Sequence, residues 1–306
     1  MVNHTDSLSR RSFLQTLSLA AGALATTSAF GSELLKKGNF NIGYSSITWG
    51  GKDLQAIEDL ASLGYKGIQL RANTFAPYRT KVSELKDALV KNNLKLVMFS
   101  SGNVEVDPAK FQSTVDTHVA HASFVKALGG NALQVTNSLR KNGLAPTPAE
   151  LKKLAEVMNE IGKQTADLGV QTVYHNHMNQ WGETPEEVDT IVQAMNPKHV
   201  KLLLDIAHYK QGGGEPHEAV MKYKDILHSL HLKDTKPVES KSGYKFVELG
   251  QGRVDVPAVF SALNKVKFKG WAVVELDGVP DPDKSPLVCA EINKKYITET
   301  LKYPLS

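Results

Sequence analysis

Two histidines stand two residues apart in the run Val173-Tyr174-His175-Asn176-His177-Met178. An imidazole takes up a proton near neutral pH, or holds a divalent cation through one ring nitrogen. Further along, Leu202-Leu203-Leu204-Asp205 ends an apolar run in a carboxylate, and His208 follows it closely. His231 and Lys233 come from His231-Leu232-Lys233-Asp234, and Glu275 and Asp277 from Val273-Val274-Glu275-Leu276-Asp277. A carboxylate buried at the end of an apolar run needs a cation or a metal beside it. Nitrogen and oxygen donors in this mixture suit one divalent ion of the Mn²⁺, Zn²⁺, Co²⁺ or Fe²⁺ kind. The expected ligand set is His175, Asp205, His231 and Glu275.

Taken singly, each of these residues has a plainer reading. His175 would be a satisfied core histidine, Asp205 a helix cap, His231 a strand-end residue facing water, and Glu275 the partner of Lys233. Their coincidence at equivalent places along the chain favours the metal site. His118 and His121 lie at helical spacing and read as surface or packing residues. His4, His199, His217 and His228 show no partners in the pattern.

The elements that must position these groups follow from periodicity. Short apolar runs at 41–49, 66–72, 94–100, 131–137, 170–177, 200–205, 226–233 and 270–277 alternate with helical patterns such as 53–64, 82–92, 107–129, 147–168 and 184–195, with a further helix expected over 287–303. Thr147 and Thr184 each precede a proline and acidic residues, the pattern of a capped helix start. Eight strands alternating with helices predict an α/β fold, a single (β/α)8 TIM barrel over 38–303. A doubly wound open sheet is disfavoured because no glycine-rich phosphate loop follows the first strand. Side chains two apart on a strand share a face. Strand two then sends Gln69 and Arg71 inward, strand four Gln134 and Thr136, and the later strands the groups named above. All of them fall at the ends where barrel loops carry chemistry.

Composition sets bounds. With 41% hydrophobic and 22% charged residues the chain is an ordinary globular protein, and its charge of +4 is spread along the sequence. The absence of a basic cluster interleaved with aromatics argues against a nucleic-acid partner. The single Cys289 excludes an internal disulfide and reads as packing. At the N-terminus, Arg10-Arg11-Ser12-Phe13-Leu14 precedes the uncharged stretch 16–30, which ends in small residues. Residues 1–31 therefore predict an export signal of the twin-arginine type, too short and mild for a stable membrane span. The expected location is outside the cytoplasm, in the periplasm. Loss of Arg10, Arg11 and Asp6 with the signal lowers the formal charge from +4 to +3.

The succession Tyr-His-Asn-His, Leu-Asp-Ile-Ala-His, His-Leu-Lys-Asp, Leu-Gly-Gln-Gly-Arg-Val-Asp and Gly-Trp-Ala-Val-Val-Glu-Leu-Asp resembles the xylose isomerase-like TIM barrel superfamily over about residues 41–300. That superfamily includes sugar epimerases, hydroxypyruvate isomerase, 2-keto-myo-inositol dehydratase and endonuclease IV. The resemblance implies a divalent metal held by Asp205, His231 and Glu275. The fourth position is a Glu in the epimerases and is His175 here. The epimerases use that Glu and the strand-eight Glu as paired acid and base, so the substitution weakens the epimerase reading. The dehydratase branch and enzymes that eliminate across 3-keto-glycosides carry a similarly histidine-rich strand.

The resemblance thus implies a lyase or hydratase acting on a keto-sugar, 3-keto-glycoside or keto-inositol through an enolate or enediolate. Catalytic roles fall to His175, Glu275 and His208, and substrate contacts to His177, Arg71, Gln134 and Lys233. His175 is open between ligand and base. The alternatives are a sugar isomerase or epimerase, and a non-catalytic sugar-binding barrel. The expected partner is a small carbohydrate, and homo-oligomerisation is left open.

Overall fold

The computed structural model describes residues 39–140, 143–240 and 242–305. The segment read as an export signal, residues 1–31, lies outside the described residues. Eight parallel strands close into a barrel: β1 (Asn41–Ser45), β2 (Gly67–Arg71), β3 (Lys95–Asn103), β4 (Ala132–Thr136), β5 (Gln171–His175), β6 (Val200–Asp205), β7 (Leu227–Leu232) and, after a hairpin, β10 (Trp271–Val274). β10 pairs with both β1 and β7, which completes the ring. The expected barrel is observed, with strands at the expected places.

The principal outer helices are α1 (Asp53–Ser62), α3 (Val82–Lys91), α4 (Phe111–Ala127), α5 (Pro148–Asp167), α6 (Pro185–Ala194), α9 (Val256–Lys265) and α10 (Pro286–Lys295), with α2 (Phe75–Tyr78), α7 (Ile206–Gln211) and α8 (Pro216–Lys222) as shorter pieces. Thr147 accepts from Glu150 N–H and Glu150 returns to the Thr147 N–H, a reciprocal capping box. Thr184 Oγ1 accepts the Glu187 N–H at the start of α6. The expected 287–303 helix is regular only to Lys295 and then widens into a π-turn over Tyr296–Thr300.

Strand alternation explains how the polar groups come to share one layer. Met98, Ala132, Val173 and Leu203 form a small buried cluster of their own inside the barrel. Two residues further along the same strands stand Ser100, Gln134, His175 and Asp205. A period of two places the polar set directly above this apolar plug, on the same inner face. The register then aligns them laterally, with Asp205 opposite His231 and His175 opposite Leu203.

The hairpin formed by β8 (Asp234–Pro237) and β9 (Tyr244–Val247) interrupts the simple alternation after β7. No pattern in the sequence announced it. It is anchored by Asp234, whose carboxylate accepts the backbone N–H groups of Thr235, Gly250, Gly252 and Val254. A side chain at Gly252 would put its Cβ 2.2 Å from Asp234 Oδ1, so the close approach requires glycine. The segment Leu249-Gly250-Gln251-Gly252-Arg253-Val254 is thereby wrapped around one carboxylate.

Candidate metal centre and active site

His175, Asp205, His231 and Glu275 are all buried, and one potential ligand atom from each lies within 4.8 Å of the others. His175 Nε2 is 3.4 Å from Asp205 Oδ2 and 3.2 Å from His231 Nδ1. His231 Nδ1 is 3.3 Å from Glu275 Oε1. The four residues expected from sequence therefore converge, each from a different strand end.

The surrounding hydrogen bonds determine which nitrogens carry protons. Gln69 Nε2 donates to Glu275 Oε2 at 3.0 Å, and a carboxylate only accepts, so the orientation of this amide is fixed. Gln69 Oε1 must then accept from His231 Nε2–H, at 2.9 Å. The lone pair of His231 is left on Nδ1, facing the cluster. Gln69 was visible in the sequence only as an inward polar residue in an apolar run. Its bridging role needed the register of β2 against strands far away in the chain.

Asp205 divides its oxygens. Oδ1 accepts the N–H groups of Ala207 and His208, each at 2.9 Å, capping α7, while Oδ2 faces the histidines. The cap reading of this residue is observed, and its second oxygen is left facing the cluster. Asn176, which points away from the barrel interior, exchanges hydrogen bonds with the Asp205 backbone and fixes its height. Burial works against ionisation of Asp205. The Lys233 ammonium beside it and the hydrogen bond from His175 outweigh that and hold it well below the usual carboxylate range. Glu275 is likewise lowered to about 2, because His231 and Lys233 overcome its burial. Burial lowers His175 to about 4, against the raising effect of Asp205.

Whether these residues suit a metal is tested by the proton positions. A cation on His175 Nε2 requires the proton on Nδ1, which then needs an acceptor. Nδ1 lies 3.2 Å from the Gln134 carboxamide, whose Oε1 has no hydrogen-bond partner. Turning that carboxamide over places the orphaned oxygen on Nδ1–H. The two histidines can therefore offer lone pairs together with two ionised carboxylates, a fit to a divalent ion.

Above the cluster lies a cavity of about 360 Å³, lined among others by Arg71, Gln134, His175, His177, Gln180 and Glu275. His177 donates from Nδ1 to the Met178 carbonyl at 2.7 Å, so Nε2 bears the lone pair. Burial, helped by the Lys233 charge, lowers its pKa and keeps it neutral. His175 has neither ring nitrogen free, since Nε2 faces the cluster and Nδ1 faces Gln134. His208 is buried, accepts from Met178 N–H at 3.3 Å and stacks on His177 with ring centroids 3.9 Å apart. Lys233 is buried behind the wall, bonded to Glu275 at 3.2 Å and Asp277 at 2.6 Å, with Phe246 of the hairpin 4.3 Å below its ammonium. Burial tends to neutralise this lysine, but the carboxylates of Asp277, Glu275 and Asp205 raise its pKa instead.

The loop carrying His177 is clamped from outside. Arg140 forms a two-pronged pair with Glu187 at 2.7 and 2.8 Å and reaches Glu183 and the Gln180 carbonyl. Gln180 is a cavity-lining residue that sequence reasoning passed over, and Phe246 packs against the Lys233 ammonium. His118 and His121 are packing residues, both bonded to Ser101 and remote from the cluster. The depression of about 530 Å³ at the opposite end of the barrel, around Lys86, Lys95 and Trp271, holds no comparable cluster among the described residues.

A closed (β/α)8 barrel with nitrogen and oxygen donors gathered at its loop end defines a class of metal-site barrels, and the comparisons with known proteins specify which. Residues 57–292 match the xylose isomerase-like TIM barrel family, and the chain belongs to it. It is 28% identical to the inosose dehydratase of Clostridium botulinum (strain Alaska E43 / Type E3), over 84% of this chain and 96% of that one. It is also 28% identical to the inosose dehydratase of Geobacillus thermodenitrificans (strain NG80-2), over 87% and 99%. Among solved structures, the IolI protein with a bound zinc atom superposes with a TM-score of 0.75 at 19% identity, covering 87% of this chain and all of that one (100%). A probable 3-DHS dehydratase from Bacillus anthracis gives 0.69 at 15%, covering 85% and 99%. These two show the shared fold.

Proposed function

We propose that the protein is a divalent-metal-dependent dehydratase acting on a keto-cyclitol or keto-sugar. The observation that carries this reading is the buried His175–Asp205–His231–Glu275 cluster beneath a cavity into which His177 brings an unprotonated Nε2. The inosose dehydratase relatives support the same class. The metal would be one of Mn²⁺, Zn²⁺, Co²⁺ or Fe²⁺. Once bound, it would polarise a ketone oxygen and so acidify the neighbouring C–H.

The residues of the chain supply the remaining steps. His177 Nε2 takes the α-proton, its other nitrogen pinned by the Met178 carbonyl. The electron pair left behind forms the C=C bond as the β-oxygen departs. The proton now on His177 is available to that oxygen, which leaves as water. His208 stacks against His177 and holds its plane. Lys233 helps keep Glu275 ionised and holds Glu275 and Asp277 in place. The unpaired carbonyl oxygen of Gln180 is an acceptor for a substrate hydroxyl group, and Gln134 borders the same cavity. An epimerase needs carboxylates on both faces of a carbon, and His175 in the cluster removes one of them.

The test is a time course of the metal-loaded protein with inosose in D₂O, followed by NMR. Loss of water is expected, with the α-hydrogen released to the solvent, and activity should vanish on chelation. Clean epimer without loss of water would overturn the dehydratase reading. We also propose that residues 1–31 direct export by the twin-arginine route, which places the barrel in the periplasm.

A further inference from the structure

Two helix starts in this chain carry the same pattern, Thr147-Pro148-Ala149-Glu150 and Thr184-Pro185-Glu186-Glu187. At α5 the pattern closes on itself, with the Glu150 carboxylate accepting the Thr147 N–H at 2.7 Å. At α6 it opens onto the preceding loop. The Glu187 carboxylate reaches past Thr184 and accepts the N–H groups of Gly182 at 3.0 Å and Glu183 at 2.9 Å. Both of its oxygens also accept from Arg140 Nη2, at 2.7 and 2.8 Å.

This arrangement holds the tip of the loop between β5 and α6. Asn179 N–H donates to Glu183 Oε2 at 3.0 Å, and the Gln180 carbonyl accepts from Arg140 Nε at 3.1 Å. Trp181 N–H donates to the Ser138 carbonyl at 2.9 Å. With Gly182 and Glu183 on Glu187, five consecutive residues each have a peptide group tied down. Apart from the Trp181 bond, every tie runs to Arg140, Glu183 or Glu187, and Arg140 Nε pairs with Glu183 at 2.7 Å. The Arg140 and Glu187 side chains are only 10% and 11% exposed, so salt screens the pair little. Removing either partner leaves the other charge buried and uncompensated. A Cβ at Gly182 would come within 2.2 Å of the Tyr174 hydroxyl, so the loop also lies directly on β5.

His177 Nδ1 donates to the Met178 carbonyl, a group of this same loop, and Met178 N–H is bonded to His208. The imidazole therefore goes where the loop backbone goes. Gln180 lines the cavity from the same loop, while Arg140 and Glu187 stand outside the cavity's lining. A reacting group displaced by about 1 Å loses on the order of a hundredfold in rate.

We propose that Arg140 and Glu187 are positioning residues for the reaction: their buried ion pair sets the loop 178–183, and the loop sets the His177 base. The inference rests on His177 being the base in the dehydratase reading above.

The test compares Arg140→Met and Glu187→Gln with the wild type, alone and combined with His177→Gln. Metal analysis and thermal unfolding accompany each. For water loss from inosose, kcat should fall about ten- to a hundredfold in either variant, with KM within about twofold and metal content unchanged. On the His177→Gln background the same substitutions should cost nothing further, because a residue acting through another has no effect once that one is gone. Hydrogen exchange reads the loop without the reaction. Amides of 179–183 should exchange about tenfold faster in both variants, while those of the barrel strands keep wild-type rates. Undiminished kcat, an effect on KM alone, a full further loss on the His177→Gln background, or unchanged exchange would each overturn the positioning role. Glu187→Gln keeps an oxygen for the two N–H groups, and it decides the matter if Arg140→Met does not fold. Full activity in His177→Gln would instead overturn the base reading, and the exchange rates distinguish that failure from a failure of the ion pair to hold the loop.

Discussion

Gln69 accepts the His231 Nε2–H at 2.9 Å while its amide nitrogen holds Glu275 at 3.0 Å. One carboxamide thus sets the tautomer of one proposed ligand and the position of another, although the two belong to β7 and to the residue after β10. Groups that orient metal ligands in this way typically contribute ten- to a hundredfold in affinity, so Gln69→Ala should weaken metal binding by about that factor. Competition with a chromophoric chelator measures it. A variant with wild-type affinity would remove Gln69 from the ligand-positioning role.

Asp205 offers a separation of cap from ligand. Asp205→Asn keeps an oxygen for the Ala207 and His208 N–H groups but removes the charge, whereas Asp205→Ala loses both. Metal content should collapse in each. In the metal-free state Asp205→Ala should be less stable than Asp205→Asn by about 1 kcal/mol, the usual value of an N-cap. Denaturant melts decide this, and equal stabilities would show that the cap is dispensable.

The histidine pair divides by function. His177→Gln should retain the metal and lose about a hundredfold or more in kcat, since it removes a base and leaves the cluster intact. His175→Ala should lose metal. Metal analysis beside kinetics distinguishes them, and metal loss in His177→Gln together with retention in His175→Ala would reverse the assignment.

A pH effect on stability resides away from the site. Ser101 Oγ lies 2.6 Å from His118 Nδ1 and 2.8 Å from His121 Nδ1, and His118 Nε2 faces the Asn103 carbonyl at 3.3 Å. The Asn103 carbonyl only accepts, so His118 carries its proton on Nε2 and accepts from the Ser101 hydroxyl, while His121 donates from Nδ1. Both ring nitrogens of His118 are thus occupied, which leaves it no place for a second proton. Burial, with His121 nearby, lowers His118 from 6.5 to about 4. The unfolded chain therefore binds more protons between pH 6.5 and 4, and stability falls as pH falls through that window. For His118 the full effect is on the order of 3 kcal/mol. His118→Gln should flatten the wild-type dependence of denaturant midpoint on pH between 7 and 4.5. An unchanged slope would place the effect on other buried histidines.

Replacing Arg10 and Arg11 together by lysine should leave the protein in the cytoplasm, if the proposed twin-arginine route operates. Fractionation of cells expressing both forms tests it. Unchanged export would point to a general secretory signal.

The barrel and the four clustered residues were legible in the sequence because strand periodicity is local. A run such as Lys201–Asp205 states which side chains share a face, and the closed parallel barrel leaves one end for their polar tips. What tertiary structure decided depends on neighbours far apart in sequence. Register across β2, β7 and β10 made Gln69 a bridge, and the opposed needs of Met178, Gln134 and Asp205 left His177 as the imidazole with a free nitrogen. The hairpin β8–β9 escaped notice because its residues carry no clean alternation; Asp234 gathers it through backbone N–H groups that no side-chain pattern encodes. Arg71 was visible as an inward cation, and the structure places it where two cavities meet. Sequence specifies faces, and closure of the barrel specifies distances, because a few ångströms between side chains are set by packing of the whole ring.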